Sequence, residues 1–143
     1  MRRSSARVTP LLVSALLAAA CGGGGGFPDA PVKMPPQDPG TIAVTWVLVD
    51  SLQQPTTCTA ANAGNVVVGI VQEGTSEQFG QTFPCALGTA VSGSLATASY
   101  DLTFSLFDTS GSLITTGMSQ TAIAVTPDHT TDVGQIVFTV PAL

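Results

Sequence analysis

The chain has 143 residues, 44% of them hydrophobic and 9% charged, and a formal net charge of −5. Its four basic residues all lie at or before Lys33, so the chain from Thr41 onward has no lysine or arginine. The same part of the chain carries seven of the nine acidic residues. Because no cation there can neutralise phosphates and release counterions, we expect no binding to nucleic acid.

The first twenty residues have the pattern of a bacterial signal peptide. Arg2, Arg3 and Arg7 form a basic start, and the stretch 8–20 is apolar apart from a threonine, a proline and a serine. A membrane-spanning helix needs about 20 apolar residues, so this stretch is too short to be one. We therefore assign residues 1–20 to a signal peptide.

The residues that end this segment, Ala18-Ala19-Ala20-Cys21, resemble the lipobox of bacterial lipoproteins. The resemblance implies cleavage before Cys21, diacylation of its sulfur and a membrane anchor for the mature chain. Gly22 stands where an aspartate would resemble an inner-membrane retention signal, which favours the outer membrane of a two-membrane cell. The alternative is an ordinary secretory signal, with Cys21 a thiol of no special role.

The number of cysteines favours the lipoprotein interpretation. The chain has three, and an odd number leaves one thiol over in an oxidising compartment. If Cys21 carries lipid, Cys58 and Cys85 remain as a single pair, and export makes a disulfide between them the expected state. The alternative is two buried free thiols.

Residues 21–40 are rich in glycine and proline, with five consecutive glycines from Gly22 to Gly26. Glycine-rich segments behave as random coil and proline-rich segments as extended polyproline II, so we predict a flexible tether. The glycine run is not expected to bind phosphate, because it follows no strand and lacks the Lys-Ser/Thr pair of a phosphate-binding loop.

From Thr41 onward, apolar residues alternate with polar ones as they do in half-buried strands. The clearest predicted strands are 41–49, 65–72, 99–107 and 134–140. The side chains expected to face a core are Ile42, Val44, Trp46, Leu48, Tyr100, Leu102, Phe104, Leu106, Ile136, Phe138 and Val140.

Weaker patterns fill the gaps between these strands. The shorter candidate strands are 78–83, 90–95, 112–116 and 120–126, of which the last two flank Gly117 in a pattern that could be one bent strand. Residues 108–111 predict a hairpin turn. Residues 56–63 predict one or two helical turns, capped by a threonine and ended by Gly64.

These elements predict an all-β fold, a single antiparallel β-sandwich of about seven strands over residues 41–143. The arrangement resembles the immunoglobulin-like or transthyretin-like (prealbumin-like) sandwich domains of small bacterial surface lipoproteins. Trp46 in the first strand, Cys58, Cys85 and the segment from Leu95 to the turn at residues 108–111 carry this resemblance. It implies a fold and no activity.

His129, the single histidine, lies between two predicted strands in a stretch that also holds Asp128 and Asp132. For this stretch to have a chemical function, the three residues would have to bind a cation together, or His129 would have to act as a general base. Metal sites usually take three or four ligands, and two carboxylates four residues apart on a loop do not converge as they do on a helix. We therefore expect a solvated turn, and we predict no metal and no cofactor.

Other catalytic arrangements are equally weak. No serine lies in a Gly-x-Ser-x-Gly motif, and a carboxylate pair drawn from Glu73, Glu77 and Asp101 would need a cleft that so small a domain is not expected to add. We expect no enzymatic activity. The sequence favours a membrane-anchored, non-catalytic structural or interaction module of the cell envelope, and the alternative is a domain that binds a carbohydrate or an envelope protein.

Overall fold

The computed structural model describes residues 38–141. The predicted signal peptide, Cys21 and the predicted tether as far as residue 37 lie outside the described residues. The last residues of that predicted tether contact the sandwich directly. Gly40 exchanges backbone hydrogen bonds with Leu95, and the carbonyl oxygen of Pro39 accepts one from Asp128. Backbone pairing with the sandwich therefore includes Gly40, one residue before the predicted start of the domain.

Nine strands form two sheets that pack face to face. In chain order they are β1 (Thr41–Val49), β2 (Pro55–Thr56), β3 (Ala63–Gln72), β4 (Gln78–Pro84), β5 (Thr89–Val91), β6 (Ala98–Asp108), β7 (Leu113–Thr116), β8 (Gln120–Val125) and β9 (Thr130–Thr139). A short 3-10 turn, Cys85–Leu87, follows β4. The predicted all-β sandwich is confirmed. It has nine strands rather than about seven because β2 was not predicted and β7 and β8 are separate strands.

In the first sheet, β1 lies between β9 on one edge and β2 and β5, which share the other edge. In the second sheet the order is β4, β3, β6, and β7 and β8 share the outer edge of β6. All strand pairs are antiparallel except β1 with β9, which run parallel from Thr41 beside Thr130 to Val49 beside Thr139. Alternation along a strand sets its two faces and not its direction, so this parallel pair had no signal in the sequence.

The core lies between the two sheets, where the alternation placed it. All eleven side chains that were predicted to face a core are between 0 and 4% exposed. Strand β3 contributes Val66, Val68 and Ile70 to the core. The β-branched run in this strand did not predict which of its side chains face inward. Among residues 38–141, no aspartate, glutamate, histidine, asparagine, glutamine, serine or threonine side chain is buried. The sandwich is therefore held by apolar packing between two faces of period-two strands.

Strands β7 and β8 are two separate strands and not the one bent strand that the sequence pattern allowed, and both lie along one edge of β6. β7 pairs with the second half of β6 and β8 with the first half, and Gly117 lies in the gap between them. A Cβ atom on Gly117 would lie 2.6 Å from Cγ2 of Ile136 and 3.2 Å from Cε1 of Phe138. The chain changes course at a point where the inward side chains of β9 leave room only for glycine.

The prediction of one or two helical turns at residues 56–63 is wrong. A single turn forms instead, in which the amide of Ala61 donates to the carbonyl oxygen of Thr57, and the Thr57 hydroxyl accepts from the amide of Ala60. The threonine cap is therefore present, but the turn ends at Asn62, which has a φ of 50°, and the chain enters β3 at once.

We expect Gly117→Ala to lower the free energy of unfolding by about 1–3 kcal/mol, because the new methyl group overpacks the core against β9. The matched control is Gly80→Ala in β4, where a Cβ atom meets no other atom within 4 Å. Denaturant titration followed by the emission of Trp46, the single tryptophan, measures both variants. Equal losses of stability in the two variants would contradict this account of Gly117.

Candidate functional site

The predicted disulfide between Cys58 and Cys85 is present. It joins the loop between β2 and β3 to the 3-10 turn that follows β4, with the two Cα atoms 6.0 Å apart and a sequence separation of 27 positions. By the loop-entropy argument, closing a loop of this length stabilises the folded chain by about 3–4 kcal/mol. The disulfide therefore ties the loop that follows β2 to the turn that follows β4.

The side chain of Trp46 meets this disulfide from the other sheet. The indole Nε1–H donates a buried hydrogen bond of 2.9 Å to the carbonyl oxygen of Cys85. A buried indole N–H needs such an acceptor, because leaving it without one costs about 1–3 kcal/mol. We call Trp46, Cys58 and Cys85 the Trp46 junction. It connects β1 in the first sheet with the end of β4 in the second.

An open hollow of about 420 Å³ lies beside the Trp46 junction. It occupies the edge of β1 between Thr45, the last residue paired with β5, and Leu48, the first paired with β2. Its other walls are the segment 55–59, Ala86 and Gly88. This lining offers threonine hydroxyls, backbone groups and apolar surface, with no carboxylate, histidine, lysine or arginine. The hollow is therefore suited to a neutral group and supplies no acid or base.

Tyr100 anchors the start of β6 by a second polar contact, which is partly buried. Its side chain is 1% exposed, and its hydroxyl donates a hydrogen bond of 2.9 Å to the carbonyl oxygen of Ala96, four residues earlier. A tyrosine bonded in this way to the backbone just upstream is the tyrosine corner of β-sandwich domains. Burial, and to a smaller extent the negative charge of Glu77, raise the pKa of this phenol.

Four aspartates bind backbone N–H groups where the chain departs from regular strand geometry. In each case a carboxylate oxygen accepts from the amide of a residue with positive φ or of its neighbour. Two of the four do so in turns and two at irregular points within strands β8 and β9. The four are Asp50, Asp101, Asp108 and Asp132. Half of the eight acidic side chains in residues 38–141 therefore bind the backbone that surrounds them.

Asp108 makes the most of these contacts, in the hairpin turn that was predicted at residues 108–111. Its Oδ1 accepts from the hydroxyl of Ser110 at 2.7 Å and from the amides of Ser110 and Ser112 at 2.8 Å each. These hydrogen bonds, with that of the Ser110 hydroxyl the largest, lower the pKa of Asp108 below its ordinary value. Gly111, with a φ of 87°, completes the turn.

The stretch with the single histidine lies in the exposed loop before β9 and at the start of that strand. The carbonyl oxygen of His129 accepts from the amide of Thr41, and Asp128 has a φ of 55°. The carboxylate of Asp132 accepts from the amide of Gly134 at 2.8 Å. In residues 38–141, no three histidine, cysteine, aspartate or glutamate side chains are grouped as a metal site requires.

The three carboxylates considered as a catalytic pair lie at one end of the second sheet. Glu73 and Glu77 belong to the β3–β4 connection, and Asp101 pairs with Val71 across β6 and β3. A carboxylate oxygen of Asp101 accepts from the amide of Ala122 at 3.1 Å. The described contacts thus give Asp101 a role in holding β8 against β6.

Comparison with protein-family models, with curated proteins and with solved structures found no match to this chain. Of the described residues, none belong to a helix that is long and apolar enough to cross a membrane.

The backbone contacts of Asp108 agree with the predicted hairpin turn, in which aspartate and serine were expected to bond to the local backbone. The sequence interpretation missed the partners of Trp46, Tyr100, Asp50, Asp101 and Asp132. The tyrosine corner had a recognisable signal, a lone tyrosine near the start of a strong strand. Asp50 and Asp132 had one as well, since aspartate followed within four residues by serine, glutamine or glycine is typical of such local contacts. Asp101 had none, because the amide it binds is 21 positions away. The bond between Trp46 and Cys85 had none, because it joins residues 39 positions apart.

We expect the phenol of Tyr100 to lose its proton at a higher pH in the folded chain than in the unfolded chain. Because the folded pKa is raised above the unfolded value of about 10, this group stabilises the fold below that pH, and the contribution is lost as the pH rises through the folded pKa. Phenolate absorbance reports this residue alone, since the chain has one tyrosine. Tyr100→Phe removes the signal and costs about 0.5–1.5 kcal/mol of stability. Equal midpoints in folded and unfolded chains would refute the assignment.

Replacing both Cys58 and Cys85 by serine should lower the free energy of unfolding by about 2–5 kcal/mol, because the unfolded chain regains the freedom of the closed loop. Cys21→Ser is the matched control, since it removes a cysteine that the disulfide does not use, and it should leave the unfolding midpoint unchanged. Denaturant titration followed by tryptophan emission measures all three proteins. A double variant as stable as the parent would show that the disulfide contributes nothing.

Proposed function

We propose that this chain is an exported, lipid-anchored and non-catalytic module of the cell envelope, held in the outer membrane by acyl chains on Cys21. The observation that carries the proposal is the disulfide between Cys58 and Cys85. Disulfides persist in oxidising compartments, which supports export. The disulfide also uses two of the three cysteines, and the third directly follows Ala18-Ala19-Ala20, as in a lipobox.

The contacts of the acidic residues support a structural or interaction role over catalysis. A general acid or base must reach the substrate with a free titratable group. Here Asp50, Asp101, Asp108 and Asp132 bind backbone amides, and the lining of the hollow beside the Trp46 junction contains no titratable side chain.

The second candidate function is binding of a protein or a carbohydrate, and one observation favours a protein. Carbohydrate sites in binding domains stack sugars on exposed aromatic rings. Among residues 38–141, Phe79 is the one aromatic side chain that is largely exposed, at 43%, and it lies on the outer strand β4. An isolated ring on a strand edge fits a protein contact, because edges bind partners through their backbone.

The anchor is tested in a two-membrane bacterial host that expresses the full chain. We expect metabolic labelling with a palmitate analogue and recovery in the outer-membrane fraction, because several acyl chains give durable anchoring where one does not. Cys21→Ala should lose both the label and the membrane association. An unlabelled parent, or a Cys21→Ala chain that stays on the membrane, would contradict the anchor, and recovery with the inner membrane would contradict its location.

A further inference from the structure

Strand β4 presents an unprotected edge. All seven of its residues pair with β3 without a register shift, and no other strand among residues 38–141 pairs with it. Gln78, Gly80 and Thr82 are exposed, and the segment 78–84 contains no charged residue. A free edge of this length offers a row of backbone donors and acceptors to another strand.

The other edges of the two sheets carry features that oppose such pairing. β2 has two residues and contains Pro55, and β5 has three residues. The edge formed by β7 and β8 is interrupted at Gly117, and Ala122 within it has a φ of 56°. β9 has a bulge next to Asp132 where its register with β1 shifts. In β4, by contrast, the one interfering residue is Pro84, at its end.

The backbone groups that face this edge follow from the pairing with β3. The amide of Gln72 donates to the carbonyl oxygen of Glu77, so these two residues form a hydrogen-bonded pair. Bonded and non-bonded pairs alternate along antiparallel strands, so Phe79, Gln81 and Phe83 also bond to β3. The N–H and C=O groups of Gln78, Gly80 and Thr82 therefore point to the free edge.

We infer that β4 pairs with β4 of a second copy of this chain, antiparallel and about a twofold axis at Gln81. An antiparallel strand is complementary to itself, and one surface then serves both partners, as in the commonest symmetric dimers. In this register Gly80 of each copy lies opposite Thr82 of the other, so the outward backbone groups of both residues meet their partners. The two five-stranded sheets, each with β4 at its outer edge, become one continuous sheet.

The same register places the aromatic residues of β4 side by side. Phe79 of each copy lies opposite Phe83 of the other, in a non-bonded pair, where side chains are closest. Both rings belong to the core-facing side of β4, since Phe83 packs against the core and Phe79 is four residues away along the strand, on the same face. Two cross-strand aromatic pairs would thus cover the 43% of Phe79 that is exposed in one copy.

The charge pattern selects the antiparallel arrangement. Glu77, directly before β4, is the nearest charge, and the twofold places the two copies of it eight strand positions apart, at about 26 Å. This separation exceeds the screening length of about 8–10 Å, so the negative charge of the two chains does not oppose pairing there. A parallel arrangement would set the two carboxylates side by side. Because β4 itself carries no charged residue, it offers a different protein no charge to recognise.

The test is a disulfide trap in cells that express the full chain with Cys21→Ala. In the inferred register the two Gln81 Cα atoms lie about 4.5 Å apart, within the range of about 4.4–6.8 Å that a disulfide spans. We expect Gln81→Cys to give, on mild oxidation, a covalent species of twice the chain mass in most of the protein. Thr103→Cys, exposed at the middle of β6, is the matched control and should stay monomeric.

A second substitution separates true pairing from chance collision. Gly80→Glu fits the folded chain, because a side chain there meets open space, but it brings two like charges close to the axis. It should abolish the cross-link of Gln81→Cys, whereas Thr139→Glu, an exposed position on β9, should leave it intact. A cross-link that survives Gly80→Glu would overturn the inference.

Each remaining outcome is decisive. An adduct of another mass would identify a different protein on this edge and overturn the second copy as its occupant. No adduct at all would overturn edge pairing. The cross-link is expected with and without Cys21, so failure of the lipid anchor and failure of the pairing are observed independently.

Discussion

The hydrogen bond from the Trp46 indole to the carbonyl of Cys85 is the contact on which the arrangement of this sandwich depends. Trp46 lies in the middle of β1, and Cys85 directly follows the outer strand of the opposite sheet. The disulfide to Cys58 adds the loop that leads into β3. A domain of about 100 residues has a small margin of apolar burial, so a covalent and a polar link at one point have a large effect on its stability.

The lack of basic residues explains how the polar part of the domain is organised. From Thr41 onward no lysine or arginine can pair with a carboxylate, so the aspartates bind backbone amides instead. Amides of this kind occur where left-handed residues, such as Gln53 in a turn and Ala122 within β8, leave N–H groups without a partner in a strand ladder. The acidic side chains therefore stabilise turns and strand irregularities, and the apolar side chains stabilise the packing of the two sheets.

Local patterns in the sequence predicted most of the fold, and the parts they missed depend on distant residues. Alternation is local, so it identified β1 to the residue and assigned the inward faces of β6 and β9 correctly. The parallel contact of β1 with β9 joins segments 89 residues apart, and neither segment signals its partner. At residues 56–63 a threonine cap is present, as predicted, but the turn ends at the left-handed Asn62, close to the disulfide at Cys58, and β3 begins at the next residue. The disulfide itself followed from counting cysteines, whereas the hollow arises from a gap between β5 and β2 that no local pattern encodes.

The parallel pairing of the first and last strands also determines how the domain bears tension. The chain enters β1 at Thr41, beside Thr130, and leaves β9 after its amide contact between Val140 and Val49, so entry and exit lie at opposite ends of one ladder. A force that separates the two ends of the chain then acts along the strands and loads all the hydrogen bonds over about 26 Å together. Antiparallel terminal strands would place both ends on one side, and the bonds would open one after another. When the chain is held on its N-terminal side and pulled at its other end, the domain therefore resists the force in shear, as a single mechanical unit.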